Sequence, residues 1–144
     1  MKVDRLRTQH RRVGLDSNLF IYLFEGTGRE AALVGEVLDA ISAGSMTGVL
    51  ATLGVAEILT GPMRAGDTAL AERYRDELAS VTGLDLVPLS VEIAADAAAL
   101  RGLRRASLAD AVHLATAGAA GATAFITNDR ALRGSPQLEI VRLT

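Results

Sequence analysis

The chain alternates between short apolar clusters and longer stretches in which apolar residues recur every three or four positions. Short apolar clusters bounded by glycine or polar residues predict buried strands, and the three-to-four spacing predicts amphipathic helices. Strands that alternate with helices indicate an α/β protein whose central parallel β-sheet is flanked by helices on both faces. The predicted strands lie at 13–15, 47–50, 84–89, 122–126 and 138–143, and the helices at 19–24, 29–43, 52–60, 63–81, 91–100 and from 107 to the glycines at 118 and 121.

Two boundaries follow from breaks in this pattern. We expect the helix at 52–60 to stop at Gly61-Pro62. Residues 1–12 show neither helical nor strand periodicity, and chain ends fray unless the fold holds them. We therefore expect a mobile basic N-terminal arm, with contact to RNA as the alternative. Its charged residues are Lys2, Asp4, Arg5, Arg7, Arg11 and Arg12.

Composition restricts the chemistry that is open to the protein. With 144 residues, the chain has the length of one domain with its own core. It has no cysteine, which excludes thiolate nucleophiles and Cys-ligated metals, and Lys2 is its only lysine, which excludes a Walker-type phosphate loop. A formal net charge of -2 argues against a surface that binds nucleic acid throughout. No stretch resembles a membrane span or a signal peptide, so we expect no membrane contact and a cytoplasmic location.

Four acidic residues stand out because uncharged residues surround them. Asp16 and Asp129 follow predicted strands, Asp110 lies in the first turn of a helix, and Glu57 is alone in an apolar helix. A carboxylate in apolar surroundings costs free energy unless hydrogen bonds, water or a cation compensate for it. Each has a structural alternative: Asp16 can cap a helix, Ser107 and Asp110 have the spacing of a capping box, and Glu57 can face solvent.

These acids are expected to meet at one edge of the sheet. Right-handed connections bring the carboxyl ends of parallel strands together, and open α/β folds place their sites there. Hard divalent cations prefer oxygen ligands. Carboxylates gathered without lysine or cysteine therefore suggest Mg²⁺ or Mn²⁺ chemistry on phosphate esters, in which the metal orients and activates water.

Two further features lie beside Asp110. Arg101, Arg104 and Arg105 precede its helix, and we interpret them as candidate contacts to an RNA backbone, with a solvated turn as the alternative. His113 borders the apolar face of the same helix, so we expect it to be packed or hydrogen-bonded rather than catalytic.

Four short motifs resemble the successive motifs of the PIN domain. Their order and the total length resemble in particular the VapC-type toxins of bacterial toxin–antitoxin pairs, and the similarity spans nearly the whole chain from Val13. The basic arm before Val13 departs from the family pattern. The motifs are Leu-Asp-Ser-Asn at 15–18, Glu-Ile-Leu at 57–59 with Gly61, Leu-Ala-Asp-Ala-Val-His-Leu-Ala-Thr-Ala at 108–117, and Ile-Thr-Asn-Asp-Arg at 126–130.

The resemblance implies a PIN-like three-layer sandwich over residues 13–144 that acts as a metal-dependent endoribonuclease. Asp16, Glu57, Asp110 and Asp129 take the places of the acidic quartet that holds Mg²⁺ or Mn²⁺. The resemblance also implies an RNA substrate, a homodimer and a cognate antitoxin whose tail fills the acidic groove. The alternative is a catalytically silent PIN-like module that binds RNA or protein. The polar residues that match supporting positions of the family are Ser17, Asn18, Thr127 and Asn128.

Overall fold

A central sheet of five parallel strands places β1 in the middle, in the order β3-β2-β1-β4-β5. The computed structural model describes residues 1–144. Every connection between sequential strands passes through at least one helix, except the loop that joins the last two. The strands are β1 (Arg12–Leu15), β2 (Thr47–Ala51), β3 (Leu84–Val87), β4 (Ala124–Thr127) and β5 (Glu139–Arg142).

Seven helices cover the sheet, and none combines the length and the apolarity that a transmembrane span requires. The predicted α/β sandwich with a parallel sheet between helices is confirmed. The helices are α1 (Val3–Gln9), α2 (Ser17–Glu25), α3 (Arg29–Ser42), α4 (Thr52–Arg64), α5 (Thr68–Ser80), α6 (Val91–Leu103) and α7 (Leu108–Ala119).

Strand β4 shows how the sheet separates two cores. Ala124 and Ile126 belong to the larger core, which also contains buried residues of α2 and α3, whereas Phe125 packs against Leu114 and Ala117 of α7. Successive side chains of a strand point to opposite faces, and all four residues of β4 are buried. The uncharged sequence of β4 therefore follows from helices on both faces of the sheet.

Gly14 of β1 allows α7 to lie close against the sheet. A Cβ atom at this position would be 2.7 Å from the Cβ of Ala117 and 2.7 Å from the Phe125 ring. Because those distances are too short for real contacts, only glycine fits without a shift of α7. Two of the predicted acids lie at the start of α7 and directly after β1. The close packing of α7 on β1 therefore sets the positions of these two acids relative to each other.

The N-terminal segment differs from the sequence prediction. The expectation that residues 1–12 lack regular structure is wrong, because Val3–Gln9 form α1 and Arg12 begins β1. Leu6 is buried in the larger core, and α1 packs against α3. His10 is also buried and hydrogen-bonds Thr123 and Glu139. A short helix with a single buried apolar residue has no detectable period, which is why the pattern gave no signal. The domain boundary at residue 13 stays a prediction.

The predicted helix end at Gly61-Pro62 is wrong as well. Helix α4 continues to Arg64, and Pro62 is buried within it. A proline in a helix removes one backbone hydrogen bond. Here Pro62 lies in the last turn, its buried ring packs on the protein, and its carbonyl accepts from the Asp67 N–H at 2.9 Å. The helix therefore tolerates the proline.

Candidate active site

Three of the four predicted acids lie at the carboxyl edge of the two central strands. Asp16 follows β1 directly, Asp129 follows the neighbouring strand β4, and Asp110 lies in the first turn of α7. Asp16 is 7% exposed, so its carboxylate is largely removed from water. The Asp16 N–H donates to the Ile126 carbonyl at 3.1 Å, which extends the β1–β4 pairing to the start of the site.

Thr127 connects two of these acids through its fully buried hydroxyl. The hydroxyl donates to Oδ2 of Asp16 at 2.6 Å and accepts from the Asp129 N–H at 2.9 Å. Asp129 accepts from the Ala131 N–H at 2.8 Å through Oδ1, which shapes the turn after β4. Thr127 therefore holds the first and last acids in a fixed relationship.

Neither the Asp16 carboxylate nor the Asp110 carboxylate forms the helix-capping hydrogen bond that the structural alternatives predict. Asp16 precedes α2, but its side chain makes no capping hydrogen bond. Ser107 caps α7 by accepting from the Asp110 N–H at 3.1 Å. The Asp110 backbone makes this cap, and its carboxylate accepts no hydrogen bond from the Ser107 backbone N–H, as a capping box would require.

The carboxyl group of Asp110 is close enough to the other two aspartates for their charges to affect its pKa. Burial raises the pKa of the Asp110 carboxyl above its ordinary value, and the negative charges of Asp129 and Asp16 raise it further. A hydrogen bond from Ser107 and the nearby His113 act in the opposite direction. The charged form of Asp110 is therefore disfavoured by burial and by both neighbouring aspartates, and a perturbed carboxyl of this kind is a feature of functional sites.

Glu57 turns toward α7 rather than toward solvent. Its Oε1 is 2.5 Å from Nε2 of His113, and its side chain is 38% exposed. The hydrogen bond with His113 lowers the pKa of the Glu57 carboxyl, and burial partly opposes this effect. His113 is 3% exposed, and its Nδ1 has no hydrogen-bond partner. The expectation that His113 is packed and hydrogen-bonded is confirmed.

Ser17 lies between Glu57 and Asp16 and links the fourth acid to the others. Its hydroxyl is 3.5 Å from Oδ1 of Asp16, which is long for an O–H···O hydrogen bond. A hydrogen bond from Ser17 also lowers the pKa of Glu57. One hydroxyl proton serves one acceptor at a time, and Ser17 is close enough to both carboxylates to donate to either of them.

The donor set fits a hydrated hard cation better than a closed protein cage. No three Asp, Glu or His side chains lie close enough together to hold a metal ion between them. Mg²⁺ commonly keeps several waters and takes only one or two carboxylates directly. Mutually repelling carboxylates, one of them buried and oriented by a hydroxyl, suit that mode of binding.

The remaining predicted residues lie in different places. Asn18 is exposed, and its side chain makes no hydrogen bond within the chain. The Asn128 side chain bonds the backbone and hydroxyl of Thr144, so it joins the ends of β4 and β5. Arg101 lies in the last turn of α6, and Arg104 donates to two backbone carbonyls of residues 133 and 134 at 3.0 Å.

Arg105 is the predicted arginine with the most suitable position, because it lines a cleft together with Asp110. The cleft has a volume of about 340 Å³, and Arg133 lines it as well. Both arginines are exposed and form no salt bridge. Sequence reasoning missed Arg133, because nothing in the loop between β4 and β5 indicates that it returns to the start of α7.

Comparison with known proteins agrees with this geometry. The family model of the PIN domain matches residues 13–134, whereas no curated protein sequence matches the chain. A toxin–antitoxin complex from Klebsiella pneumoniae is 24% identical with a TM-score of 0.67, over 88% of this chain and 94% of that chain.

Two further solved structures share the fold. VapBC2 from Rickettsia felis, bound to a DNA fragment from its promoter, has a TM-score of 0.72 at 16% identity, over 91% of this chain and 98% of that chain. DNA-bound VapBC from Salmonella typhimurium has a TM-score of 0.68 at 16% identity, over 92% and 98%. Because the PIN model covers most of the chain and the fold agrees, this protein belongs to the PIN domain family.

Proposed function

We propose that this protein is a Mg²⁺- or Mn²⁺-dependent endoribonuclease, the toxin of a VapC-like toxin–antitoxin pair. The observation that carries the proposal is the position of Asp16, Asp110 and Asp129 at one sheet edge, where burial and the charges of Asp129 and Asp16 raise the pKa of Asp110. PIN domain toxins are nucleases as a class, and the motif resemblance assigns Asp16, Glu57, Asp110 and Asp129 to the family's acidic positions. No cysteine or other thiol nucleophile competes with this assignment.

Each acid has a distinct role in the proposal. Asp16, fixed by Thr127, and Asp129 provide oxygen ligands at the ends of β1 and β4. Asp110 completes the charge that attracts the cation, and Glu57, held by His113, accepts hydrogen bonds from water on the α4 side. A bound Mg²⁺ or Mn²⁺ would activate a water molecule and neutralise charge on the phosphate.

The substrate and partners of the proposal follow from charge and from the comparisons. Arg105 and Arg133 border the cleft that contains Asp110, so a phosphate of an RNA strand can approach the acids with its charge compensated. The similar structure from Klebsiella pneumoniae is a toxin–antitoxin complex, and the one from Rickettsia felis is VapBC2. We therefore propose a cognate antitoxin, a homodimer and action on cytoplasmic RNA.

The test is cleavage of structured RNAs by the purified protein with Mn²⁺, with Mg²⁺ and with excess EDTA. We expect cleavage in single-stranded segments or loops with either metal and none in EDTA. Cleavage of the same RNA that continues undiminished in EDTA would contradict the metal requirement. RNA binding without cleavage under every metal condition would instead support a catalytically silent module.

A further inference from the structure

We propose that Arg130 and Arg142 form a second phosphate-binding subsite, which holds the RNA strand on the α2 side of the acidic site. This inference rests on the proposed function, since its ligand is the RNA that the acidic site would cut. A pocket of about 460 Å³ is lined by Tyr22, Asn128, Arg130, Arg142 and Thr144. No acidic side chain lines this pocket.

The pocket adjoins the proposed acidic site through the sheet. Asn128 and Arg130 flank Asp129 in the chain, and Arg142 is paired with Thr127 in the β4–β5 register. Thr127 is the residue that holds Asp16. Arg130 therefore directly follows one of the acids that would hold the cation, and Arg142 lies one strand away from Thr127.

Hydrogen bonds hold the guanidinium group of Arg142 in place, but one of its nitrogen atoms has no acceptor. Its Nη2 donates to the carbonyls of Leu132 at 3.1 Å and Arg130 at 3.4 Å. Its Nη1 is buried and has no partner within the chain. This buried nitrogen is closed to a ligand, so Arg142 attracts a phosphate through its charge, whereas the exposed guanidinium of Arg130 can donate to a phosphate oxygen directly. Neither Arg142 nor Arg130 forms a salt bridge, so both positive charges are uncompensated within the protein.

The position of the pocket favours a nucleic-acid strand over an acidic segment of a protein. The Arg105–Arg133 cleft lies on the α7 side of the acids, whereas Tyr22 places this pocket on the α2 side. A strand that crosses the sheet edge from one cleft to the other would pass the acids between two bound phosphates. Tyr22 adds an aromatic ring, on which a base can stack and which an acidic peptide does not need.

The test measures binding of a fluorescent single-stranded RNA in EDTA, where no metal-dependent cleavage occurs, as a function of salt. We expect Arg130→Gln to weaken binding of the RNA. The plot of the logarithm of the association constant against the logarithm of the salt concentration should become less steep by about 0.7, which is the value for one lost phosphate contact with a single strand. Arg142→Lys keeps the charge but loses the planar fork, so we expect weaker binding with a nearly unchanged slope. The control is Arg11→Gln, which removes one exposed charge before β1, at the opposite edge of the sheet.

The outcomes separate this subsite from the proposed function. Wild-type protein that binds and cleaves RNA, with Arg130→Gln binding as tightly and as salt-dependently as Arg11→Gln, would overturn the subsite alone. Wild-type protein that neither binds nor cleaves RNA would overturn the proposed function and the subsite with it. If Arg130→Gln weakens binding of a hexaglutamate peptide but not of RNA, the pocket binds acidic protein segments and the RNA subsite is wrong.

Discussion

The hydroxyl of Thr127 donates to Oδ2 of Asp16 at 2.6 Å, across the carboxyl ends of two adjacent strands. We predict that Thr127→Val, which keeps the shape and removes the hydroxyl, lowers the free energy of unfolding by about 1–3 kcal/mol, because the buried carboxylate loses a donor. RNA cleavage should fall by about 10–100-fold, the usual effect of removing a group that orients a metal ligand. Urea denaturation and initial cleavage rates measure the two effects.

Thr127→Ser is the matched control, since serine keeps the hydroxyl and loses one methyl group. It should retain cleavage close to the wild-type rate. Equal losses of cleavage in the valine and serine variants would show that packing of the methyl group, and not the hydrogen bond to Asp16, is what matters.

The Glu57–His113 contact predicts a pH-dependent contribution to stability. The pKa of Glu57 is lowered in the fold, chiefly by its hydrogen bond with His113, so folding favours the charged carboxylate. That stabilisation is present above the unfolded pKa and is lost as the pH falls through the folded pKa. We predict that Glu57→Gln is less stable than wild type at pH 7 and that the difference shrinks below about pH 4.5.

Urea denaturation at a series of pH values measures this difference. Glu36→Gln, which removes an exposed carboxylate from α3, is the control and should show little difference from wild type at any pH. A difference in stability between Glu57→Gln and wild type that grows as the pH falls would contradict the lowered pKa of Glu57.

Asp110 predicts the opposite behaviour, because its pKa is raised by burial and by the charges of Asp129 and Asp16. The charged carboxylate is therefore unfavourable in the fold above its raised pKa, and this cost disappears as the pH falls. We predict that Asp110→Asn is at least as stable as wild type at pH 7 without metal. With Mn²⁺ at a hundred times its dissociation constant, wild type should gain about 2.7 kcal/mol and the variant much less.

Thermal melts of both proteins in EDTA and in Mn²⁺ measure these differences. Ser107→Ala is the companion variant, because it removes the actual cap of α7 and should cost about 1 kcal/mol with or without metal. An Asp110→Asn protein that is less stable in EDTA and gains as much from Mn²⁺ as wild type would remove Asp110 from the site.

The ordered α1 helix predicts that Leu6 contributes to the core. Leu6 is 3% exposed and packs in the larger core, so Leu6→Ala should lower the free energy of unfolding by about 2–5 kcal/mol. Arg5→Ala, at the exposed neighbouring position, should change it by less than about 0.5 kcal/mol. Equal stability of both variants in urea would mean that residues 1–9 are detached from the domain in solution.

The sequence is sufficient to predict the parallel sheet and the proximity of three acidic residues, because both depend on the order of strands and helices. The apolar clusters and the amphipathic stripe of α3 determine the order of strands and helices, and parallel strands bring Asp16 and Asp129 to one edge whatever the details of packing. These features depend on patterns that are local in the chain.

The features that the sequence did not predict depend on contacts between distant segments. The pairing of Glu57 with His113 requires the packing of α4 against α7, and neither residue indicates it alone. Arg133 and Arg142 acquire their positions from the loop after β4 and from the last strand, where no periodicity exists. Local propensity favours a helix end at Pro62, whereas α4 continues to Arg64 because the proline lies in the last turn, where few backbone hydrogen bonds remain to be lost.

The most direct test of the acidic site compares Mn²⁺-dependent cleavage of one RNA by Asp110→Asn and Ser107→Ala. Both changes lie in the first turn of α7, but only the first removes a proposed metal-site carboxylate. We predict that Asp110→Asn has no detectable cleavage at any Mn²⁺ concentration, whereas Ser107→Ala, which keeps the Asp110 carboxylate and loses a hydrogen bond to it, still cleaves in a Mn²⁺-dependent manner at a reduced rate. Cleavage by Asp110→Asn at the wild-type rate, with the same Mn²⁺ dependence, would contradict the assignment of Asp110 to the catalytic site.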